Sequence, residues 1–179
     1  MTIATNALPF GLREVVLRPI DAAGVVGVGI KLPAARTFSF SETEDFEELA
    51  GDDVIQASHG SGPVVEWDLE AGGISIAAYK VMAGGASVDT GTTPAVVRTF
   101  TKKRTDARPY FEVEGRAISD SGGDVRCKVF RCKADGALEG EFGNGAFFLT
   151  AASGKGYGDA TSDELYKFIH SETAAAITP

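Results

Sequence analysis

The sequence contains few of the residue types from which proteins build catalytic and metal centres. It has two cysteines and two histidines among 179 residues. Cys127 and Cys132 are five positions apart in a predicted strand, which places them on opposite faces and roughly 16 Å apart. This geometry predicts that they do not bond to each other. Because His59 and His170 are far apart in the sequence, the spacing matches no zinc motif and predicts no metal site.

The sequence also lacks a long hydrophobic run. Its longest apolar stretch, 22–30, has nine residues including three glycines, whereas a membrane-spanning helix needs about 20. Arg13, Glu14 and Arg18 interrupt the region where a signal peptide would carry an unbroken apolar segment. We therefore expect a protein that is made in a cytoplasm and does not insert into a membrane.

Positive charge is scarce. Lys and Arg number 17 against 25 Asp and Glu, which gives a formal net charge of -8 and a pI near 4.8. Because domains that bind nucleic acid by themselves are usually basic, this balance argues against such a protein. The apolar fraction of 44% and the charged fraction of 23% are typical of a folded protein, and the length favours one domain over 1–179.

Alternation of apolar and polar residues, which is typical of strands, runs through most of the chain. In 62–70, Val65, Trp67 and Leu69 face one way and acidic residues the other, which indicates a half-buried strand. Gly122-Gly123 predicts a tight hairpin. We expect a mainly β protein, a sandwich or barrel of about ten strands. The predicted strands are 13–20, 25–32, 36–41, 54–58, 62–70, 95–101, 110–119, 124–133, 138–142 and 146–152.

One internal segment, 74–83, has the period of a helix instead. Gly84 follows it at the position of a left-handed cap, and a turn-rich linker then covers 84–94. The sequence therefore predicts one helix packed on the sheet. Its predicted buried stripe consists of Ile74, Ala77, Ala78 and Val81.

A second, short helix is predicted near the C-terminus. Thr161 and Glu164 form a capping-box pattern before the apolar residues of 165–169. Residues 1–11 and 171–179 carry little pattern and are expected to form an N-terminal and a C-terminal arm.

Two charged segments are too polar to belong to the core. Seven of the twelve residues of 42–53 are acidic, so we expect a solvated loop or a projecting hairpin there. A basic cluster lies at 102–108. Each segment is either solvated or a partner for the other across subunits. The candidate contact residues are Glu42, Glu44, Asp45, Glu47, Glu48, Asp52, Asp53, Lys102, Lys103, Arg104 and Arg108.

No pattern of an enzyme stands out. The glycine-rich segments 24–29 and 140–145 resemble nucleotide-binding loops, but neither opens a helix after a strand. Ser58 and His59 are adjacent, so a strand points them to opposite faces. Alternate carboxylates of 66–70 lie about 6.7 Å apart, a spacing that any acidic strand has. We expect no catalytic, cofactor-binding or metal-binding residues.

Five segments, in this order, resemble the major tail tube proteins of long-tailed bacteriophages of actinobacterial hosts. The resemblance covers roughly residues 36 to 177. The segments are ETEDFEELAGDD (42–53), GPVVEWDLEAGGI (62–74), ARPYFEVEGRA (107–117), FGNGAFFLT (142–150) and ELYKFI (164–169), the last followed by ETA at 172–174.

The resemblance implies a β-sandwich subunit of the virion tail that is assembled in the host cytoplasm. Subunits form hexameric rings, lend strands to one inner barrel of about 24 strands, and stack around the tape-measure protein. A tail terminator and distal tail proteins are the other expected partners. Double-stranded DNA passes through the tube without specific binding, and the charged segments above would meet between stacked rings.

The dimensions and charge agree with such a tube. A barrel of about 24 tilted strands is roughly 45 to 50 Å across, which leaves room for duplex DNA about 20 Å wide. An acidic wall would let DNA slide, whereas a basic wall would hold its phosphates. The expected lumen residues are Glu66, Asp68, Glu70, Glu112 and Glu114.

Three alternatives stay open at this point. The nearest is the tube protein of a contractile injection or type VI secretion system, which shares the sandwich and the ring. A monomeric β-sandwich binding module would be expected to carry an aromatic platform, and the chain has only one Trp and four Tyr. The third is a small hydrolase that uses acidic strand residues.

Overall fold

The chain folds into a sandwich-like arrangement of antiparallel strands, as the sequence predicts. The structure, a computed structural model, describes residues 6–51 and 53–179. Within these residues strands predominate and there is one helix, α1 (Ile76–Ala83). The strands are β1 (Pro9–Pro19), β2 (Ile30–Lys31), β3 (Ala35–Thr43), β4 (Phe46–Gly51), β5 (Val54–Gly60), β6 (Val64–Gly72), β7 (Ala86–Thr90), β8 (Val97–Thr101), β9 (Phe111–Ser119), β10 (Asp124–Lys133), β11 (Leu138–Gly140), β12 (Leu149–Gly156) and β13 (Tyr166–Ser171).

One layer contains β2, β1, β9, β10 and β13 in that order, with antiparallel pairing throughout. The predicted hairpin joins β9 to β10 at Gly122 and Gly123, whose φ angles are 103° and 74°. Glycine adopts such angles without strain. A Cβ at Gly123 would also collide with the carbonyl oxygen of Ser171, so this turn requires its second glycine.

The second layer contains β3, β6, β12 and β11, again antiparallel. Val65, Trp67 and Leu69 of β6 are buried, which confirms the predicted inward face of this strand. The Trp67 ring meets Phe111 of β9 edge to face, with 5.6 Å between the ring centroids. The hydrophobic core therefore lies between the two layers.

A bulge in β10 joins the layers and overturns one prediction. The last two residues of β10 pair with the end of β12 rather than with β13. The pairing register shifts between Val129 and Cys132, where Arg131 has a φ of 43°. One extra residue in a strand reverses the face to which each later side chain points. Cys127 therefore packs against the core in which Cys132 is buried, and the prediction of opposite faces is wrong.

Helix α1 begins at a serine and ends at a glycine, residue types that favour the two ends of a helix. Ser75 is its N-cap, and the Ser75 hydroxyl accepts a hydrogen bond from the Ala78 amide at 3.3 Å. Gly84 ends the helix with a φ of 73° and donates its N–H to the Lys80 carbonyl at 3.0 Å. The predicted helix and its glycine cap are confirmed.

The buried face of α1 differs in part from the predicted stripe. Ala78 and Val81 are buried, together with Met82. Ile74 and Ala77 are exposed, so their prediction as core residues is wrong. The reason is the helix start, because Ile74 precedes the N-cap and its side chain is not carried on the helix at all. The helix contacts β1, β2 and the β7–β8 hairpin.

The predicted C-terminal helix is wrong, because residues 166–171 form strand β13. The polar residues before it make a turn, in which the Asp159 carboxylate accepts the N–H groups of Thr161 and Ser162 at 3.1 and 2.9 Å. Asp163 then has a φ of 58°, which is incompatible with a helix start. As a strand, this segment pairs six of its residues with the edge of β10. A helix at this position would leave the backbone groups along that edge without these partners.

Two further segments depart from the predictions. Of 25–32, only Ile30–Lys31 forms a strand, and Val28 is exposed in the preceding loop. The segment 84–94 contains β7, which pairs with β8, so it is not only a linker. With eight residues, α1 is far shorter than a bilayer span, and the part of the chain that the structure describes contains no helix able to cross a membrane.

The predicted arms have different outcomes. Residues 1–5 of the N-terminal arm, and Asp52 of the acidic segment, lie outside the described residues. Strand β1 already begins at Pro9, inside the segment expected to be an arm. At the other end, residues 172–179 fold back onto the first layer instead of extending away from it.

Candidate assembly surfaces

The acidic segment forms a projecting hairpin, defined here as β4 and β5 with their turn (46–60). Its strands pair only with each other, beyond the point where the β3–β6 ladder ends at Thr43 and Val64. All its described residues except two glycines are exposed. Strands of this length extend about 20 Å. The segment thus adopts the second of the two predicted forms, a hairpin that stands away from the sandwich.

The hairpin carries apolar side chains on both faces. Leu49 and Ile55 are 66% and 60% exposed, and Phe46 is 61% exposed. Leu49 lies opposite Ala57, and Ile55 lies opposite Ala50. Because successive strand residues point to opposite faces, the two pairs put apolar surface on each side. Such a ribbon has no core of its own.

The base of the hairpin is fixed by its acidic neighbours. The Asp45 carbonyl accepts the Ser61 N–H at 2.9 Å, and the Glu44 carboxylate accepts the Gly62 N–H at 3.3 Å. A Cβ at Gly60 would collide with the Glu44 carboxylate. Glu44 and Asp45 therefore orient the hairpin, in addition to giving it charge.

The remaining acidic residues of the segment have different surroundings. Glu47 and Glu48 lie in β4 opposite His59 and Ser58, with their side chains exposed. Asp53 is exposed at the turn with a φ of 63°. Glu42 belongs to β3 and accepts a hydrogen bond from the Tyr166 hydroxyl of β13 at 2.8 Å.

Two members of the basic cluster make contacts within the chain. Lys102 donates to the carbonyl of Ala83 at the end of α1 and to that of Asp106 at 2.7 Å. Arg108 donates to the carbonyls of Ala134 and, at 2.7 Å, Gly136. These two residues tie loops together. They are therefore less available to a neighbouring subunit.

The other two members of the cluster lie at the surface. The side chains of Lys103 and Arg104 are exposed in the β8–β9 loop, where the Lys103 amide donates to the Asp106 carboxylate at 2.7 Å. Across residues 6–51 and 53–179, no ion pair links this cluster to the acidic segment. A contact between them would have to form between subunits.

The outer face of the second layer is an acidic wall, defined by Glu66, Asp68 and Glu70 of β6. The register places Asp68 between Ser39 of β3 and Ser153 of β12. The two glutamates lie near cations, with Arg36 at 3.1 Å from Glu70 and Lys155 at 3.9 Å from Glu66. A shallow cavity of about 370 Å³ opens over Asp68 and Glu70. The wall is therefore polar, exposed and acidic at its centre.

Glu112 and Glu114 do not belong to that wall. Both are buried on the outer side of the first layer, with exposures of 3% and 6%. Glu112 pairs with Lys128 at 2.7 Å, and Glu114 pairs with Arg18 at 2.6 Å. Burial of a carboxylate requires such partners. The expectation of an open acidic surface therefore does not hold for these two residues.

Sequence reasoning missed a third surface, the β11–β12 loop. Phe142 and Phe147 are 85% and 94% exposed, although 138–142 and 146–152 are predicted as strands. Beside the loop is a largely apolar cavity of about 660 Å³ whose lining includes Phe147, Leu149 and Gly72. The signal available in the sequence was the Gly143-Asn144-Gly145 run, which is typical of a turn.

The groups that could carry chemistry are few in this fold. Both cysteines are free thiols. Burial raises the pKa of Cys127 to about 12 and holds the pKa of Cys132 well above its ordinary value, so neither is an activated nucleophile. Among the described residues, no three His, Cys, Asp or Glu side chains are grouped to hold a metal ion. His59 lies on the projecting hairpin, and His170 lies in β13 near the Gly122 carbonyl.

The chain matches no protein-family model and no curated protein sequence. The assignment of a function therefore rests on the residues of this chain and on their arrangement.

Proposed function

We propose that this chain is the structural subunit of a bacteriophage tail tube, assembling into stacked hexameric rings around a channel for DNA. The resemblance of five segments and the exposed area of the chain support the proposal. The chain exposes 11234 Å², whereas a compact monomer of 18.7 kDa exposes about 8,300 Å². The larger area offers surface for contacts with neighbouring subunits.

The projecting hairpin is the observation that carries the proposal. A two-stranded hairpin without a packed layer is marginal in water. Leu49 and Ile55 would each expose apolar surface at a cost, unless a partner covers them. In stacked rings the hairpin would lie against the adjacent ring, where both of its faces find protein.

The second layer has the strand count that the tube requires. It contains four strands, β3, β6, β12 and β11, so six copies would supply a barrel of about 24 strands. β3 lies at one edge of this layer and the three-residue β11 at the other. Unpaired strand edges are sites for pairing with another chain. Ring formation would join the edge of one copy to the opposite edge of the next.

The same layer would place the acidic wall toward the channel. Its inner face fills the core, so its outer face is the one that a closed barrel turns to the lumen. Glu66, Asp68 and Glu70 would then face DNA, with Ser39 and Ser153 on either side of Asp68. The two cations near this wall, Arg36 and Lys155, lie beside Glu70 and Glu66, so a passing polyanion meets them already paired with carboxylates.

Electron microscopy of the purified full-length protein tests the proposal directly. We expect uniform rings or hollow filaments in negative stain at low ionic strength. The double variant Leu49→Ser/Ile55→Ser should give a folded protein that forms no filaments, because it replaces one exposed aliphatic side chain on each hairpin face with a polar one. Ser58→Ala is the matched control on the same hairpin and should assemble as the native chain does.

Two results would contradict the proposal. One is a native chain that stays monomeric at high concentration, which would favour a monomeric binding module. The other is filament formation by the double serine variant at the native rate, which would show that the hairpin is not part of the assembly surface.

A further inference from the structure

The last eight residues, the C-terminal strap (172–179), are bound to the outer side of the first layer. Strap and sheet meet through four hydrogen bonds, and β1 and β10 each supply one carboxylate and one arginine. The Ala175 N–H donates to Asp124 at 3.0 Å, the Ile177 N–H donates to Glu14 at 2.8 Å, Arg126 donates to the Ala175 carbonyl at 3.0 Å, and Arg18 donates to the Thr178 carbonyl at 2.7 Å.

All four contacts are made to the backbone of the strap. Of its side chains only Ile177 is buried, at 4% exposure, while the alanines of 174–176 are exposed. The two carboxylates and two arginines thus bind the backbone of an extended peptide segment, and one aliphatic side chain of that segment is buried. A carboxylate for each N–H and an arginine for each carbonyl are strong, charge-assisted partners.

The four binding side chains, here called the strap site, are held in place by the sheet as well as by the strap. Glu14 pairs with Arg116 at 2.7 Å and with Lys31 at 2.6 Å. Arg18 pairs with Glu114 at 2.6 Å. Arg116 and Arg126 also lie 3.5 and 3.4 Å from Asp124. Because these pairs do not involve the strap, the site keeps its charges paired and its geometry when the strap leaves.

We propose that the strap site is a peptide-binding site that recognises an extended backbone with one aliphatic side chain, and that the strap is its exchangeable intramolecular ligand. This site does not depend on the tail tube proposal. Its ligand is a peptide with the sequence of residues 172–179. A tethered ligand acts at a high effective concentration, so the native chain keeps its own site occupied.

The test uses the full-length variant Ile177→Asp, which places a charge where the one buried strap side chain lies. A fluorescently labelled ETAAAITP peptide is titrated, and its anisotropy is recorded. The variant should bind this peptide at least ten times more tightly than the native chain, whose strap competes. Ala176→Asp adds the same charge at an exposed neighbouring position, and this control should bind as weakly as the native chain.

Two further arms show whether the strap site itself is responsible. Adding Glu14→Gln to the Ile177→Asp chain should weaken peptide binding at least tenfold, because the Ile177 amide loses a charged acceptor. The same peptide carrying Ile177→Asp should not bind. A folded Ile177→Asp chain that takes up no native peptide, or takes up both peptides equally, overturns the proposal.

Hydrogen exchange of the native chain covers the case in which Ile177→Asp does not fold. An exchangeable strap opens without global unfolding, so the amides of Ala175 and Ile177 should exchange at least tenfold faster than those of the β9–β10 ladder. They should still exchange more slowly than in the free peptide. Equal exchange rates in the strap and in the β9–β10 ladder would show that the strap is an inseparable part of the fold, and would overturn the proposal.

Discussion

Glu14 is a charged side chain at 2% exposure, and its partners explain why it stays charged. Burial by itself raises the pKa of this carboxyl. Hydrogen bonds from Lys31, from the Ile177 amide and from Arg116 outweigh burial and lower the pKa to about 2. The pKa is therefore lower in the folded than in the unfolded chain. Glu14 stabilises the fold fully above its ordinary pKa and progressively less as the pH falls toward 2.

Glu14→Gln should lower the free energy of unfolding by about 3 to 5 kcal/mol near neutral pH, because it removes the charged acceptor of the largely buried Arg116 and of the Ile177 amide. Urea unfolding of the monomeric protein measures this difference. The gap between native and variant chains should narrow as the pH is lowered through the acid range, since the native carboxyl is then protonated too. Glu66→Gln, at an exposed site, should show a difference below about 0.5 kcal/mol throughout. A gap for Glu14→Gln that is constant with pH would contradict the assigned role.

At the scale of single elements, α1 provides a matched pair of substitutions. Met82 is fully buried in the core, whereas Ile74 is 49% exposed just before the N-cap. Met82→Ala should cost about 2 to 5 kcal/mol through the cavity that it leaves. Ile74→Ala should cost no more than about 0.5 kcal/mol. Thermal or urea unfolding separates the two, and an equal loss for both would mean that α1 packs through a different face.

Strand β13 shows how a neighbouring element overrides a local signal. Thr161 and Glu164 match a capping box, but the two N–H groups that this box would use have other acceptors. The Thr161 N–H donates to Asp159 and the Glu164 N–H donates to the Ser162 hydroxyl. Tyr166 and Phe168 then contact Phe40 of β3, with ring centroids 5.3 and 5.6 Å away. These aromatic contacts join the edge strand of the first layer to the edge strand of the second.

At the scale of the assembly, the hairpin and the basic loop are expected to meet between rings. Lys103→Glu/Arg104→Glu should block filament formation, and Glu47→Lys/Glu48→Lys in the same chain should partly restore it. Lys102 and Arg108 are left unchanged because they bind carbonyls within the chain. Electron microscopy and sedimentation measure the outcome.

Salt supplies a second measurement of the same contact. Single exposed ion pairs contribute about 0 to 1 kcal/mol, but a ring repeats each contact. Filament formation by the native chain should weaken as the screening length falls from about 10 Å to about 3 Å. Normal filaments from the Lys103→Glu/Arg104→Glu chain at low salt would exclude this interface.

The acidic wall makes a separate prediction for whole tails. Asp68→Lys should leave assembly intact, because the side chain is exposed and lies between two serines. DNA ejection through the assembled tails should be slower, since a cation in the channel attracts phosphates. Ser153→Ala on the neighbouring strand is the control, and ejection at the native rate from Asp68→Lys tails would place the wall outside the lumen.

The sequence by itself determined the elements that depend on local patterns. Alternation identified the inward face of β6, a glycine pair identified the β9–β10 hairpin, and Gly84 identified the end of α1. These features could be predicted because side-chain period and backbone freedom are properties of neighbouring residues. The acidic wall on β6 follows from the same alternation.

The tertiary structure decided what depends on a distant segment. Glu112 and Glu114 alternate with apolar residues as Glu66 and Asp68 do, yet the first pair is buried with cations from β1 and β10, while the second pair is exposed. The bulge at Arg131 likewise turned Cys132 to the same core as Cys127. Period two tells which residues share a face of a strand, but only the packing of other chain segments determines whether that face is covered.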